Sequence, residues 1–270
     1  MELRTLFDLE PHGPDTFVGI GPRYPWGGLY GGQIVAQALR AAAATVDDSQ
    51  QVHSLRAYFI RRGDHTEPIR FEVDRIRNGR SFTTRRVVAR QAVGAILNLE
   101  ASFHAHEVTA DIQTVPIAAD VPGPDTLTSE AWSDSFDRRD VPKGVLPDDE
   151  RTGAGRNAAW MRVTADLGDD QLLHRCWMAY MSDDMPADAV RRSHPDFRDT
   201  EGITYVASLD HTIWFHRPLR ADQWHLYDVT CHNFMGARGL AVGHVFAQDG
   251  THVATIAQEV LVRDARQKQD

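Results

Sequence analysis

Cysteine is scarce in this sequence of 270 residues, which contains only Cys176 and Cys231. Two cysteines cannot build a framework of several disulfides, and they are too few for a thiolate zinc cluster. We therefore predict two ordinary buried thiols, which pack like small apolar side chains.

Long apolar runs are also missing. No stretch approaches the roughly 20 apolar residues that a membrane-spanning helix requires. Residues 1 to 10 have neither the basic start nor the apolar centre of a secretory signal. The sequence therefore predicts a cytoplasmic protein without a membrane span.

Positive charge is in deficit, because 29 lysines and arginines stand against 38 aspartates and glutamates, which gives a formal net charge of -9. Such a chain repels nucleic acid, whose protein partners use lysine and arginine to displace counterions from its phosphates. The hydrophobic share of 42% and the charged share of 25% are typical of a folded globular protein. At this length the chain can form two domains of ordinary size.

Several motifs of catalytic and cofactor sites are absent. The 13 histidines include no His-Glu-x-x-His pattern or comparable metal-binding spacing. Gly79-Arg80-Ser81 lacks the second glycine of a serine-hydrolase elbow. Gly19-Ile20-Gly21 runs into Pro22, without the strand and helix that a dinucleotide-binding loop needs around it. We therefore expect no metal and no cofactor.

Two segments, one in each half of the chain, pass through the same order of predicted elements. Each begins with a strand that has a large aromatic residue near its end, over residues 53 to 62 and 209 to 218. A second strand, a glycine turn, a third strand and a hairpin follow, and a long alternating strand closes the segment. Aligning the two closing strands places Glu100 opposite Gln258, which predicts chemically unequal halves and one working site per chain.

One helical stretch precedes each set of strands. Residues 33 to 46 carry isoleucine and alanine at helical spacing, and residues 172 to 180 carry leucine, cysteine and tyrosine in the same way, ahead of Pro186. One helix against an antiparallel sheet of several strands is the α+β pattern. We predict one such unit in each half.

Prolines are concentrated between the two halves. Their spacing excludes a regular helix or a central strand over most of that span. The prolines include Pro116, Pro122, Pro124 and Pro142. We therefore divide the chain into an N-terminal domain over residues 1–106, a proline-rich connection over 107–155 and a C-terminal domain over 156–270.

Several short motifs occur in order along both halves. In the first half they are Gly31-Gly32-Gln33, Val52-His53-Ser54, Gly79-Arg80-Ser81-Phe82 followed by Arg85-Arg86-Val87, and Ala101-Ser102-Phe103. In the second half they are Tyr180-Met181-Ser182-Asp183, Ser208-Leu209-Asp210-His211, Trp214-Phe215-His216-Arg217-Pro218 and Gln258-Glu259. Together these motifs resemble those of the acyl-CoA thioesterase II family, and they cover most of the chain outside the proline-rich connection.

The resemblance implies a double hot-dog fold, in which each half wraps an antiparallel sheet around one long helix and the two sheets join edge to edge. It also implies an enzyme that hydrolyses fatty-acyl-CoA to a free fatty acid and coenzyme A, acting as a homo-oligomer. The family's catalytic groups fall on Asp183, Ser208 and Gln258. Serine replaces the more frequent threonine at position 208, and the segment after Asp183 is shorter and polar.

These residue types suit thioester hydrolysis. A shielded carboxylate such as Asp183 can take a proton from water near neutral pH, because burial raises its proton affinity. The hydroxyl of Ser208 and the amide of Gln258 can then hold that water in line with the thioester carbon.

The substrate-binding residues expected from the matched motifs lie in the first half. Gly31 and Gly32 could offer backbone N–H groups to an oxyanion at a helix start, although a glycine pair also serves close packing. Gln33 and His53 belong to the same set of motifs. The pair Arg85 and Arg86 could bind coenzyme A phosphates, although surface ion pairing is the commoner role of such arginines.

Two other functions remain open from the sequence. A hot-dog hydratase or dehydratase acting on acyl thioesters would require an acid and base pair such as Asp with His. A protein that binds acyl-CoA without turnover is the second alternative. Release of free thiol from acyl-CoA would distinguish hydrolysis from both.

Overall fold

The computed structural model describes residues 3–146, 155–197 and 204–265. The first half contains a short 3-10 helix, one long helix and six strands. They are a short 3-10 helix Leu3–Phe7, β1 Glu10–Pro11, β2 Thr16–Gly19, α1 Gly31–Ala43, β3 Gln50–Phe59, β4 Ile69–Asn78, β5 Phe82–Gln91 and β6 Gly94–Ala105. Helix α1 begins two residues before the predicted start and ends three residues before the predicted end.

The second half repeats this order and adds a further helix. Its elements are β7 Phe136–Asp140, β8 Arg156–Val163, α2 Gln171–Ser182, α3 Pro186–Ser193, β9 Thr204–Ser208, β10 Asp210–Phe215, β11 His225–Met235, β12 Arg238–Ala247 and β13 His252–Asp264. Helix α3 was not predicted, because Pro186 reads as the end of a helix although proline is also well tolerated at a helix start.

The expected connection over residues 107–155 contains regular structure. Strand β7 lies within it and pairs antiparallel with β8, so it belongs to the sheet of the second half. A 3-10 helix, Pro124–Thr126, also falls in this span. Residues 147–154 of the connection lie outside the described residues. The division at residues 106 and 155 stays an interpretation of the repeat.

The strands of the described residues form one antiparallel sheet whose two halves have the same order. The first half runs β1-β2-β4-β5-β6-β3, and the second continues as β10-β13-β12-β11-β8-β7. The halves join where β3 pairs with β10, with Leu55 opposite Ile213. This confirms the expected α+β double hot-dog fold, with two antiparallel sheets joined edge to edge in one chain.

A repeated irregularity positions Ser208. In β3 the register shifts between Val52 and Ser54, so that His53 bulges out of the ladder with β6. In the second half, β9 and β10 are separated at Leu209, and Ser208 stands opposite Val260 as Val52 stands opposite Phe103. Strands β9 and β10 therefore correspond together to β3, and the interruption follows directly after Ser208.

The two long helices pack in opposite directions inside the sheet. The first turn of α1 contacts the last turn of α2, because a Cβ atom added to Gly32 would lie 2.2 Å from the carbonyl oxygen of Tyr180. At the other end, Arg40 near the end of α1 lies 3.7 Å from Asp170, which caps the start of α2. The positive end of the α1 dipole therefore faces the end of α2.

Both helices are largely buried against the sheet. The small residues of α1, including Ala36, Ala38 and Ala41, have no exposed surface. The bulky residues Trp177 and Tyr180 of α2 are 0% and 1% exposed. No helix in the described parts of the chain is both long and apolar enough to cross a membrane.

The close approach of the helices predicts the effect of a methyl group at position 32. Gly32→Ala should destabilise the protein by about 1 to 3 kcal/mol, since backbone at Tyr180 must move to accept it. Urea denaturation measures the loss. The matched control is Gly123→Ala, where φ is -64° and no atom lies within 4 Å of the added Cβ. Equal stability of the two variants would contradict this packing.

Candidate active site

The carboxylate of Asp183 lies where the two long helices meet. Asp183 is the C-cap residue of α2 and is 7% exposed. A Cβ atom at Gly31 would lie 2.6 Å from its Oδ2 atom, so only glycine fits beside it at the start of α1. The backbone N–H of Gly32 donates a hydrogen bond to the carboxylate. The end of one helix is thus held by the start of the other.

Ser208 and Gln258 complete a continuous hydrogen-bonded group with Asp183. The Ser208 hydroxyl donates to Asp183 Oδ1 at 3.2 Å. The Gln258 amide nitrogen donates to Ser208 Oγ at 2.7 Å. These residues come from the end of α2, from β9 and from β13. The structure therefore brings together the three side chains that the family motifs single out, although they are far apart in the sequence.

Burial changes the proton affinity of this carboxylate. Loss of solvent raises the pKa of Asp183 from 3.8 to about 7, and the nearby charge of Asp184 acts in the same direction. Hydrogen bonds from Gln258, Ser208 and the Gly32 backbone lower the pKa, but they offset only part of the burial effect. A carboxyl group with this pKa exchanges protons near neutral pH, as a general base must.

A histidine that the sequence analysis did not assign to the site lies behind Gln258. His211 has no exposed surface, and its Nδ1 atom is 2.5 Å from Gln258 Oε1. Its Nε2 atom is 2.8 Å from Ser182 Oγ. Burial lowers the pKa of His211 to about 4, so the ring is neutral at physiological pH. Its position in the Ser208-Leu209-Asp210-His211 motif was the signal available in the sequence.

Gln33, the third residue of the glycine motif, lies in the interior instead of at the carboxylate. Its Oε1 atom accepts a hydrogen bond from the Tyr24 hydroxyl at 2.7 Å, and its Nε2 atom donates to Gln37 Oε1 at 3.1 Å. Gln33 has no exposed surface. These contacts give Gln33 a place in the polar network that joins α1 to the segment around Tyr24.

His53 and Arg86 lie elsewhere in the first half. The half-buried His53 ring bonds Ser102 Oγ at 2.8 Å and packs against Phe82. The exposed guanidinium of Arg86 pairs with Asp74 at 2.5 Å. No described contact of either side chain is with Asp183, Ser208 or Gln258, so neither joins the group around the carboxylate.

Arg85 is a structural residue, which corrects its expected role in phosphate binding. The side chain is 2% exposed and donates to the Thr45 hydroxyl at 2.7 Å and to the Thr45 carbonyl at 2.8 Å. It also donates to the carbonyl of Arg77 and to Asn78 Oδ1. A guanidinium enclosed in this way cannot reach a phosphate in solvent. The side chain instead satisfies carbonyl groups just beyond the end of α1.

The strand register also corrects the pairing of Glu100 with Gln258. Glu100 is exposed, opposite Arg56 on β3. Gln258 lies opposite Ala241, the fourth residue of β12. The equivalent fourth residue of β5 is Arg85, and it lies opposite Ala101. Ala101, and not Glu100, is therefore the first-half counterpart of Gln258. A shift of one residue along a strand moves a side chain to the other face of the sheet.

The same ladder positions give the rest of the first-half counterpart. Val52 corresponds to Ser208, and Ala44 is the C-cap of α1 as Asp183 is of α2. Apolar side chains thus replace all three polar groups. The predicted inequality of the halves holds, although it does not involve Glu100.

A cavity of about 340 Å³ lies beside the last turn of α2. Tyr180 is part of its wall and precedes Asp183 by less than one helical turn. The residues that line it are Leu6, Pro22, Arg23, Tyr24, Pro25, Trp132, Ser133, Asp134, Ser135 and Tyr180. Aromatic rings and polar groups therefore share this space. In the described residues no group of three or more His, Cys, Asp or Glu side chains is arranged to hold a metal.

The fold and this site define a double hot-dog protein in which a buried carboxyl group, a half-buried hydroxyl and a buried carboxamide form one hydrogen-bonded group. The model of the acyl-CoA thioesterase N-terminal domain matches residues 21–104, and that of the C-terminal domain matches residues 113–262. The chain belongs to the acyl-CoA thioesterase family.

Individual relatives resemble the chain over most of its length. Acyl-coenzyme A thioesterase 8 from Homo sapiens is 33% identical, over 96% of this chain and 88% of the human protein. Acyl-CoA thioesterase 2 from Haemophilus influenzae is also 33% identical, over 87% of each chain. The crystal structure of the acyl-CoA thioesterase II TesB2 from Mycobacterium marinum has a TM-score of 0.87 and 36% identity, over 97% of this chain and 98% of that one.

The contrast between Arg85 and Arg86 gives a prediction. Arg85→Ala should lower the free energy of unfolding by more than about 2 kcal/mol, because buried carbonyl groups lose their donors. Arg86→Ala, which removes an exposed ion pair, should cost about 0 to 1 kcal/mol. Denaturant melts measure both. A stable Arg85→Ala variant whose KM for acyl-CoA rises sharply would restore the phosphate-binding role.

Proposed function

We propose that the protein hydrolyses the thioester bond of fatty-acyl-CoA by a water molecule that Asp183, Ser208 and Gln258 position and activate. Membership of the acyl-CoA thioesterase family supports the reaction. The observation that carries the mechanism is the buried Asp183 carboxylate, with its pKa raised to about 7, at the end of a hydrogen-bonded chain from Gln258 through Ser208.

In the proposed reaction Asp183 acts as the general base. Its carboxylate takes a proton from the water while the water oxygen forms a bond to the thioester carbonyl carbon. The carbonyl oxygen becomes an oxyanion, and when the carbonyl re-forms, the C–S bond breaks. The sulfur of coenzyme A leaves with the proton that Asp183 held, so the carboxylate is regenerated and no covalent enzyme intermediate is required.

Ser208 and Gln258 orient this reaction. The Ser208 hydroxyl donates to Oδ1 of the carboxylate and accepts from Gln258, so its hydrogen has a fixed direction. A base held in one orientation needs less rearrangement to reach the transition state. The same two polar side chains offer the water its remaining hydrogen-bond partners.

The first turn of α1 supplies the positive environment for the oxyanion. The positive end of the α1 dipole lies at Gly31 and Gly32, beside the carboxylate. The Gly32 N–H is bonded to Asp183, so it holds the base in this structure instead of pointing at an oxyanion. The cavity beside Tyr180, whose lining residues do not include Asp183, Ser208 or Gln258, offers aromatic surface to a part of the acyl group away from the thioester.

The geometry disfavours the hydratase alternative. That chemistry needs an acid and base pair, and the nearby histidine is His211, whose two ring nitrogens are occupied by Gln258 and Ser182. Its ring is fully buried and cannot meet a substrate. The remaining alternative, binding without turnover, is tested by the measurement of thiol release below.

A homo-oligomeric state and a cytoplasmic location stay predictions from the sequence. Two exposed apolar side chains next to the junction of the two half-sheets, Tyr58 at 60% and Ile60 at 47%, support self-association. Tyr58 lies near the end of β3, and Ile60 directly follows that end.

Removal of the base tests the proposed reaction. Asp183→Asn should reduce thiol release from a panel of acyl-CoAs by at least about 1000-fold, since an amide cannot accept the proton. Coenzyme A binding, measured by calorimetry, should persist. Asp184→Asn is the matched control, because the Asp184 carboxylate accepts hydrogen bonds from Arg138 and Trp132 and none from Ser208. An Asp183→Asn variant with most of its turnover would overturn the assignment, and a wild-type protein that binds without releasing thiol would overturn the reaction.

The raised pKa of Asp183 predicts the pH dependence. The base works only when it is deprotonated, so kcat/KM should fall about tenfold per pH unit below pH 7. Asp184→Asn should move this fall to lower pH, because the Asp184 charge helps to raise the pKa of Asp183. Stopped-flow or spectrophotometric thiol assays from pH 5 to 9 measure it. A rate that stays flat down to pH 5 would contradict the account.

A further inference from the structure

The carboxamide of Gln258 has to point in one direction for the site to work. Its Nε2 atom donates to Ser208 Oγ, and this leaves the Ser208 hydrogen free to donate to Asp183. If the amide turned over, its oxygen would face Ser208 and would accept that hydrogen in place of Asp183. The amide group has nearly the same shape in both orientations, so a neighbouring group must select one.

His211 is the group that contacts the other end of this amide. Its Nδ1 atom lies 2.5 Å from Gln258 Oε1. An amide oxygen only accepts hydrogen bonds, so Nδ1 must carry a hydrogen. In a neutral imidazole the second nitrogen, Nε2, is then an acceptor. The ring thus distinguishes the oxygen of Gln258 from its nitrogen.

Ser182 fixes the histidine in turn. Its hydroxyl lies 2.8 Å from His211 Nε2 and 3.1 Å from the Ala179 carbonyl. The hydroxyl has a single hydrogen, so it can donate to only one of these two acceptors. The Nδ1 hydrogen that Gln258 Oε1 requires leaves Nε2 without one, and Nε2 is the nearer acceptor, so the Ser182 hydrogen goes to the ring. The donors then follow one direction, from Ser182 through His211, Gln258 and Ser208 to Asp183.

We propose that His211 and Ser182 are positioning residues of the hydrolytic site, which hold the Gln258 amide so that the Ser208 hydrogen is directed to Asp183. Neither residue touches substrate, since both have no exposed surface. The inference rests on the proposed function, because it assigns a role within the same group of residues.

The first half of the molecule supports this role independently. His211 and Gln258 directly adjoin the first pair of the β10–β13 ladder, Thr212 with Ala257, and at the corresponding place in the first half Leu55 stands opposite Ala101. Where the carboxamide is absent, the histidine is absent too. A purely structural imidazole would not need to follow the carboxamide in this way.

Three substitutions at one position separate orientation from packing. In His211→Asn the side-chain nitrogen can occupy the place of Nδ1 and keep the donor to Gln258. In His211→Gln the amide extends to the place of Nε2, and in His211→Leu both nitrogens are lost. We expect His211→Asn to retain most of the wild-type kcat, and the other two to lose about 100-fold in kcat with KM unchanged. Equal losses in all three, or no loss in any, would overturn the proposal.

The tautomer of the wild-type protein provides a test that does not depend on the activity of any variant. Nitrogen-15 NMR of the histidine rings, with the His211 signal assigned by its absence in His211→Asn, should show hydrogen on Nδ1 and none on Nε2 at pH 7. A ring protonated on Nε2 alone would overturn the proposal. Thiol release by the wild-type protein tests the proposed function separately. If no thiol is released, the proposed function is wrong; if thiol is released but the ring carries its hydrogen on Nε2, only this inference is wrong.

Discussion

The site depends on one unfavourable feature, a carboxylate removed from water at the end of a helix. Asp183 lies at the negative end of the α2 dipole, and burial further disfavours its charge. The start of α1 offsets part of this cost through the Gly32 N–H and its opposite dipole end. Two glycines are required there because any side chain would collide with Asp183 or with the Tyr180 carbonyl.

The duplicated fold explains why one half can carry this arrangement and the other half need not. Both halves have the same strand order and an α-helix that ends beside the sheet. In both, the strand at the junction is interrupted, at His53 in the first half and at Leu209 in the second. In the first half, alanine and valine take the places of the polar groups, and Arg85 satisfies carbonyl groups beyond the helix end. The Arg85 cation makes hydrogen bonds to the carbonyl groups just beyond the end of α1. The Asp183 anion at the end of α2 has a raised pKa instead, and we propose that it accepts a proton in the reaction.

Much of the fold could be predicted from the sequence, because alternation and helical spacing persist over whole elements. The repeat, the two long helices and the closing strands were predicted in this way. Helix α3 and strand β7 were not, since the proline at 186 and the prolines between the halves suggested irregular structure. Family motifs predicted Asp183, Ser208 and Gln258 as the catalytic residues; the structure brings these side chains into one hydrogen-bonded group, and their role in the reaction stays a proposal.

The remaining site features depend on tertiary contacts that one sequence does not reveal. The pairing of Glu100 with Gln258 was wrong by a single residue, which is enough to change the face of the sheet. The Arg85-Arg86 pair looks uniform in the sequence, yet one side chain is enclosed and the other is in solvent. In the sequence His211 appears only as a member of a motif. Its proposed positioning role depends on its contact with the Gln258 Oε1 atom, which only the structure shows.

The central claim is that Asp183 is a base whose proton affinity is set by burial between the helix ends. Carbon-13 NMR of aspartate side-chain carboxyl groups measures this directly, with the signal assigned by its loss in Asp183→Asn. The account predicts one carboxyl group that titrates near pH 7 in the wild type. An Asp183 signal that titrates near pH 4, as in an exposed aspartate, would contradict it.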